Sequence, residues 1–196
     1  MVYGLTGGTG SGKTSVSEYL KEHGYKVVDA DQIARELTEK GSPVLDELKT
    51  AFGPEIIAED GSLLRKKLGS IVFNDKTKLD KLNEIMEERL NERFIKALDR
   101  AQVEDPYGKV FFDAPTLLET NREWLVDRIW VVVSDQEARI KRIMDRDGIT
   151  REQVLSRMAN QLSDEEKIKR ADVVIYNNGS LDDLKLTVSN ALDQSS

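Results

Sequence analysis

The chain has 196 residues, no cysteine, one histidine and a formal net charge of -7. The length suits one domain, or one domain carrying a small lobe. The absent cysteines exclude disulfides, iron–sulfur clusters and thiolate zinc sites, and the acidic balance argues against non-specific nucleic-acid binding.

Residues 2–6 read as a short apolar strand leading into a glycine-rich loop, and 13–23 as a helix closed by Gly24. The opening apolar run is too short for a signal peptide, and no stretch approaches the roughly 20 apolar residues of a membrane span. A cytoplasmic protein without membrane association is therefore expected. His23 stands alone before Gly24 and reads as a helix-end residue, because zinc sites need several clustered ligands.

A second strand covers 25–29, and Asp31 is placed to cap a helix running to about residue 39. Ser42-Pro43 marks a helix start with proline in the first helical position, and Gly53 follows its end. Asp60-Gly61 is a turn, after which Ser62 is placed to cap a helix to Phe73. A long charged helix covers 76–103, with Leu79, Leu82, Ile85, Met86, Leu90, Phe94 and Leu98 close to helical spacing on one face.

Strands follow at 110–113 and 128–133. Ser134-x-x-Glu137, Thr150-x-x-Gln153 and Ser163-x-x-Glu166 each match a capping box and predict three successive helices. The last strand is 173–176, Asn178-Gly179 is a turn, and a helix covers 181–192. Five apolar strands joined through helices imply an α/β fold, a five-stranded parallel sheet with helices on both faces. The stretch 42–106 reads as a helical lobe inserted into this single domain of residues 1–196.

Gly7-Gly8-Thr9-Gly10-Ser11-Gly12-Lys13-Thr14 matches G-x-x-x-x-G-K-[ST] between a strand and a helix. Glycines let successive N–H groups turn inward as an anion nest, and the helix adds its positive end. The predicted ATP-binding set is Gly8, Gly10, Ser11, Gly12, Lys13, Thr14 and Ser15, together with Arg139 and Arg142. Lys13 is expected on the β- and γ-phosphates and the Thr14 hydroxyl on Mg²⁺.

Asp29 and Asp31 close the second strand, and alternation along an extended strand points both to one face. One is a candidate base for an attacking hydroxyl; a plain N-cap is the other reading of Asp31. Asp113 ends an apolar run in the manner of a Walker-B carboxylate that reaches Mg²⁺. Arg139, Arg142 and Arg146 share a helix face, with Arg157 one helix further on. Arginines of this kind close over a transferring phosphate as a lid, or belong to a solvated helix with ion pairs.

Together these residues resemble the dephospho-coenzyme A kinase family, which shares the fold of nucleoside monophosphate kinases. The likeness runs through Gly4-Leu5-Thr6-Gly7, Asp29-Ala30-Asp31-Gln32-Ile33-Ala34, Phe52-Gly53, Asp60-Gly61-Ser62-Leu63 with Arg65, and Val72-Phe73. It continues through Gln136-x-x-Arg139, Arg157-Met158-Ala159-Asn160-Gln161 and Lys167 with Ala171-Asp172. The resemblance implies transfer of the γ-phosphate of ATP to the ribose 3′-hydroxyl of dephospho-coenzyme A, the last step of coenzyme A biosynthesis. A monomer is expected. It implies Asp31 as the hydroxyl-binding base, Arg146 as the leading lid arginine with Arg139 and Arg142 behind it, and a lid over about 135–170. The central lobe, including Arg65, is implied to hold the acceptor. Glu87-Glu88 stands where the family usually has His-Pro, and Pro115-Thr116-Leu117-Leu118-Glu119 where it often shows Pro-Leu-Leu-Phe-Glu. A kinase resembling shikimate kinase is the nearest rival. A guanine-nucleotide switch is disfavoured, since the chain has no Asn-Lys-x-Asp motif.

Overall fold

The computed structural model describes residues 1–72 and 75–194; Phe73, expected to end the fourth helix, lies outside the described residues. In chain order the elements are β1 (Val2–Gly7), α1 (Lys13–Glu22), β2 (Lys26–Asp29), α2 (Ala30–Glu36), α3 (Pro43–Phe52), α4 (Arg65–Val72) and α5 (Lys76–Glu104). They continue with β3 (Val110–Asp113), β4 (Arg128–Val133), α6 (Gln136–Asp147), α7 (Arg151–Ala159), α8 (Asp164–Lys169), β5 (Val173–Tyr176) and α9 (Leu181–Gln194). Two compact units result, Met1–Asp29 with Leu98–Ser196, and Ala30–Ala97.

The first unit is built on a sheet in the order β2-β3-β1-β4-β5, with every pairing parallel. Alternation distributes its side chains. Tyr3, Leu5, Phe111, Trp130, Val132 and Ile175 pack with Val16 and Leu20 of α1 and Leu184, Val188 and Leu192 of α9. The intervening Val131 and Val133 cluster with Leu118 and, at their margin, Leu162 and Ile168. Both faces are thus covered, as a parallel sheet joined by helical crossovers requires.

The helical unit has its own core. Leu37, Val44, Leu45, Leu48, Phe52, Ile56, Leu68, Val72 and Ile85 form it, with Leu79, Leu82, Met86 and Leu90 of the long helix packed against it. The helical spacing read from the sequence therefore marks a buried stripe. Ser42 precedes α3 with Pro43 in the first turn, as expected, although its hydroxyl makes no capping bond.

Three expected start signals behave differently in the structure. Asp31 lies within the first turn of α2, which already begins at Ala30, so strand alternation does not govern its direction. Ser62 donates its N–H and its hydroxyl to Asp60 Oδ1, closing the Asp60-Gly61 turn, and α4 starts only at Arg65. Ser134 is not the cap of α6. Asp135 takes that place and accepts from the Ala138 N–H, while the Ser134 hydroxyl donates to the Asn177 carbonyl. The capping boxes at Thr150 and Ser163 form with both reciprocal bonds, and His23 is the C-cap of α1.

The segment after β3 is tied to α8 by a buried ion pair. Lys167 is wholly inaccessible and donates to Glu119 Oε1, which also accepts from the Leu162 N–H at 3.3 Å. The second oxygen, Oε2, is buried without a hydrogen-bond partner among the described residues. Removing one member of such a pair strands a charge in a medium that solvates it poorly. Glu119→Leu alone should lower the unfolding free energy by about 3–5 kcal/mol in a urea titration. Adding Lys167→Met should recover most of that loss, because an apolar pair of similar volume avoids the desolvation of both ions.

Candidate active site

In an all-parallel sheet the carboxyl ends of the strands share one edge, where ligands of open α/β folds bind. β1 ends in Gly7 and passes into the loop 8–12, whose last residue, Gly12, precedes α1 in a left-handed conformation (φ 95°). That conformation favours glycine. Ser11 N–H closes a tight turn on the Gly8 carbonyl at 3.0 Å, and Ser15 and Val16 N–H both reach the Gly12 carbonyl. The N–H groups of Gly10, Gly12, Lys13 and Thr14 take no acceptor among the described residues. They carry the partial positive charge of a helix start in a form suited to an anion. The Ser11 hydroxyl is buried and likewise has no partner among those residues.

Register brings the carboxylates to this edge. Asp113 is the Cα partner of Leu5 in β1 and of Asp29 in β2. Lys13 Nζ donates to Asp113 Oδ1, a contact with both side chains largely buried. Lys13 and Asp113 were predicted from separate motifs a hundred positions apart; parallel pairing makes them neighbours. Thr14 is exposed in the first turn of α1, with Ser15 half-buried beside it.

The arginines of α6 divide. Arg139 is buried; its Nε donates to the Thr9 carbonyl at 2.9 Å and its Nη1 to both oxygens of Asp164 at 2.9 and 2.8 Å. Arg142 Nη1 donates to the Gly10 carbonyl at 3.2 Å and the Ser134 hydroxyl at 2.9 Å, and Nη2 to the Asn177 carbonyl at 3.3 Å. Arg146 is exposed and forks onto Asp147, with 2.7 and 3.1 Å contacts, while Arg157 reaches Asp147 Oδ2 at 2.7 Å. The Arg146 bond is the main influence holding the Asp147 carboxyl below its usual range, and Asp147 raises the Arg146 value in return. Arg139 and Arg142 therefore meet the phosphate loop, and Arg146 is engaged by Asp147.

Two predicted site residues lie in the helical unit. Asp31 is exposed. Arg65 Nη2 donates to the Thr38 hydroxyl at 2.7 Å, beside a cavity of about 200 Å³ that is also lined by Leu48, Leu63, Leu68 and Met86. Asn177 and Gln161 were not predicted as site residues. Asn177 Nδ2 donates to the Ser11 carbonyl at 2.8 Å, and Gln161 Oε1 accepts from the Thr9 N–H at 2.9 Å. The available signal for Asn177 was its place just after an apolar strand, at the ligand-binding edge.

A family profile described as "Dephospho-CoA kinase" matches residues 1–183. The chain is similar to the dephospho-CoA kinase of Fusobacterium nucleatum, with 46% identity over 184 residues, 94% of this chain and 93% of that one. Among solved structures it resembles the Thermus thermophilus protein TT1252, with 34% identity and a TM-score of 0.80 over 100% of this chain and 98% of the other. A dephospho-CoA kinase from Campylobacter jejuni aligns with 27% identity and a TM-score of 0.64, over 100% of this chain and 97% of that chain.

If Lys13 supplies positive charge where phosphate charge develops, Lys13→Ala should lower the turnover of ADP formation by roughly 10²-fold or more. Circular dichroism should show the fold retained. Near-wild-type turnover in the folded variant would remove Lys13 from the chemistry.

Proposed function

The chain belongs to the dephospho-CoA kinase family, and we propose that its phosphate loop holds ATP while Asp31 receives the proton of the attacking 3′-hydroxyl of dephospho-CoA. The reaction transfers the γ-phosphate of ATP to that ribose hydroxyl and yields CoA and ADP. The observation that carries the identity of the acceptor is the family match over residues 1–183.

In the proposed mechanism the N–H groups of the loop and Lys13 surround the β- and γ-phosphates. A bond forms from the 3′-oxygen to the γ-phosphorus as the bond from phosphorus to the bridging oxygen of ADP breaks. The hydroxyl proton passes to an Asp31 carboxylate oxygen. The loose transition state makes little demand on basicity, so aiming the hydroxyl in line with the leaving oxygen is the main task. Gly8, Gly10, Ser11, Gly12, Lys13, Thr14 and Ser15 form the ATP site in this reading, with Arg139 and Arg142 supporting it. Arg146 would leave Asp147 and meet the charge spread over the transferring phosphoryl oxygens, as part of a lid over about 135–170. Arg65 and the helical stretch 42–106 would hold the acceptor.

The donor set suits Mg²⁺. Thr14 and Asp113 offer hard oxygen atoms, and among the described residues no group of three or more histidine, cysteine, aspartate or glutamate side chains gathers into a separate cage. That pattern fits an ion held mainly by phosphate and water, with few protein ligands. When bound, the ion neutralises phosphate charge. We take the enzyme to act as a cytoplasmic monomer without membrane or nucleic-acid partners. No helix among the described residues is long and apolar enough to cross a membrane, and the net charge of -7 argues against non-specific nucleic-acid binding.

Measuring ADP release with dephospho-CoA, shikimate and AMP in parallel tests the assignment. Release is expected with dephospho-CoA, and release confined to either alternative would reject it. Asp31→Asn should preserve folding and leave ATP affinity within a few-fold, while turnover falls by roughly 10²–10⁴-fold, the range for a lost general base. If Asp29→Asn abolishes turnover and Asp31→Asn does not, the base is Asp29.

Arg146→Ala should slow phosphate transfer with little change in acceptor binding. Lysine should rescue poorly because it lacks the planar two-point fork. A change confined to thermal stability would assign Arg146 to the surface ion-pair network with Asp147 and Arg157.

A further inference from the structure

Three consecutive carbonyls of the phosphate loop are each held by a side chain that arrives from elsewhere in the sheet unit. Arg139 takes Thr9, Arg142 takes Gly10 and Asn177 takes Ser11, at 2.9, 3.2 and 2.8 Å. We propose that this row is a clamp which turns the peptide planes of the loop, and that Asn177 is a positioning residue for nucleotide binding that acts only through the loop. The proposal rests on the reading of this loop as the ATP site.

The geometry of the peptide carries the argument. In a planar trans peptide, a carbonyl and the N–H that follows it point in opposite directions. Holding the Thr9 carbonyl turns the Gly10 N–H the other way, and holding the Ser11 carbonyl does the same for Gly12. Both N–H groups are without an acceptor among the described residues. The Ser11 N–H, in the peptide between them, closes the turn onto Gly8. With three carbonyls held, two of the N–H groups that follow them are left available to an anion, and the third, that of Ser11, makes the bond that keeps the turn tight. Gln161 completes the hold by accepting the Thr9 N–H.

The clamp is itself braced. Both oxygens of Asp164 grip Arg139. The Asn177 backbone N–H donates to the Val133 carbonyl, and the Asn177 carbonyl accepts from Ser134 and Arg142. The loop glycines match it closely. A Cβ on Gly8 would collide with the Arg139 guanidinium, and one on Gly12 with Asn177 Nδ2. Gly12 is therefore constrained both by Asn177 and by its left-handed backbone, and Gly8 by the Arg139 side chain behind the loop. A loop already held in its binding shape spends less of the phosphate's interaction energy on ordering.

Asn177→Ala is a clean probe, because the backbone bonds of residue 177 remain and only the contact to Ser11 is lost. Calorimetric titration of the full chain with ADP and with ATP, each without acceptor, should show both Kd values raised by about tenfold, near the effect of one hydrogen bond plus some lost ordering. The KM for dephospho-CoA at saturating ATP should stay within about twofold, a split that a general loss of structure would not produce. Arg142→Lys keeps the charge but loses the fork, and should weaken ADP and ATP by a common factor. It also provides the test should Asn177→Ala fail to fold. Unchanged affinity for both nucleotides in a folded variant would overturn the clamp. Weakened ATP with unchanged ADP would also overturn it, by marking a direct contact to the γ-phosphate. Failure of the kinase assignment would appear separately, as wild-type protein that binds ADP but does not turn over dephospho-CoA.

Discussion

Parallel pairing is the constraint on which this molecule depends. Each of the five strands must return to the same end before it can pair again, so helices cover both faces and every carboxyl end lies along one edge. Gly7, Asp29, Asp113, Val133 and Tyr176 end the five strands there. Polar groups can then meet from positions far apart in the chain. Lys13 and Asp113 meet across that edge, as do Asn177 and the phosphate loop.

The edge concentrates charge in a partly buried setting, and the protein answers with internal partners. Lys13 has Asp113, Arg139 has Asp164, and Arg146 shares Asp147 with Arg157. In the proposed mechanism, a phosphate that recruits Lys13 or Arg146 competes with a carboxylate for it. Affinity follows the difference between the two sets of contacts, so a tally of the bonds made to nucleotide overstates it. Asp113 has two prospects in this scheme, as a counter-ion for Lys13 and as an oxygen donor to a cation.

The fastening of α6 and α8 to the sheet is a matter of packing as much as charge. Ile140 and Ile143 of α6 bury against Val154 of α7, while Lys167 of α8 enters the interior to meet Glu119. Arg170 adds a bond to the Leu118 carbonyl and an ion pair with Glu123. The strand ends, the segment after β3 and the helices carrying the arginines are thereby coupled through contiguous contacts.

Contacts spanning a few residues were legible from the sequence. The bounds of β3, β4 and β5, the capping boxes at Thr150 and Ser163, the proline start of α3 and the phosphate loop all follow from neighbours in the chain. Apolar patterning likewise disclosed the parallel sheet, because a strand buried on both faces reads as an unbroken apolar run. Tertiary structure decided which partner a polar group takes when several are within its chemistry. Ser134 matches a capping box, yet its hydroxyl goes to the Asn177 carbonyl, and Asp135 caps instead. Lys167 sits in a short charged helix and has no local sign of its burial against Glu119. Arg139, Arg142 and Arg146 are equivalent by spacing; only the folded chain sends the first two to loop carbonyls and the third to Asp147. The physical reason is range. Backbone propensity, caps and turns act within about a helical turn, whereas the partners of buried polar groups are supplied by whatever the fold brings beside them.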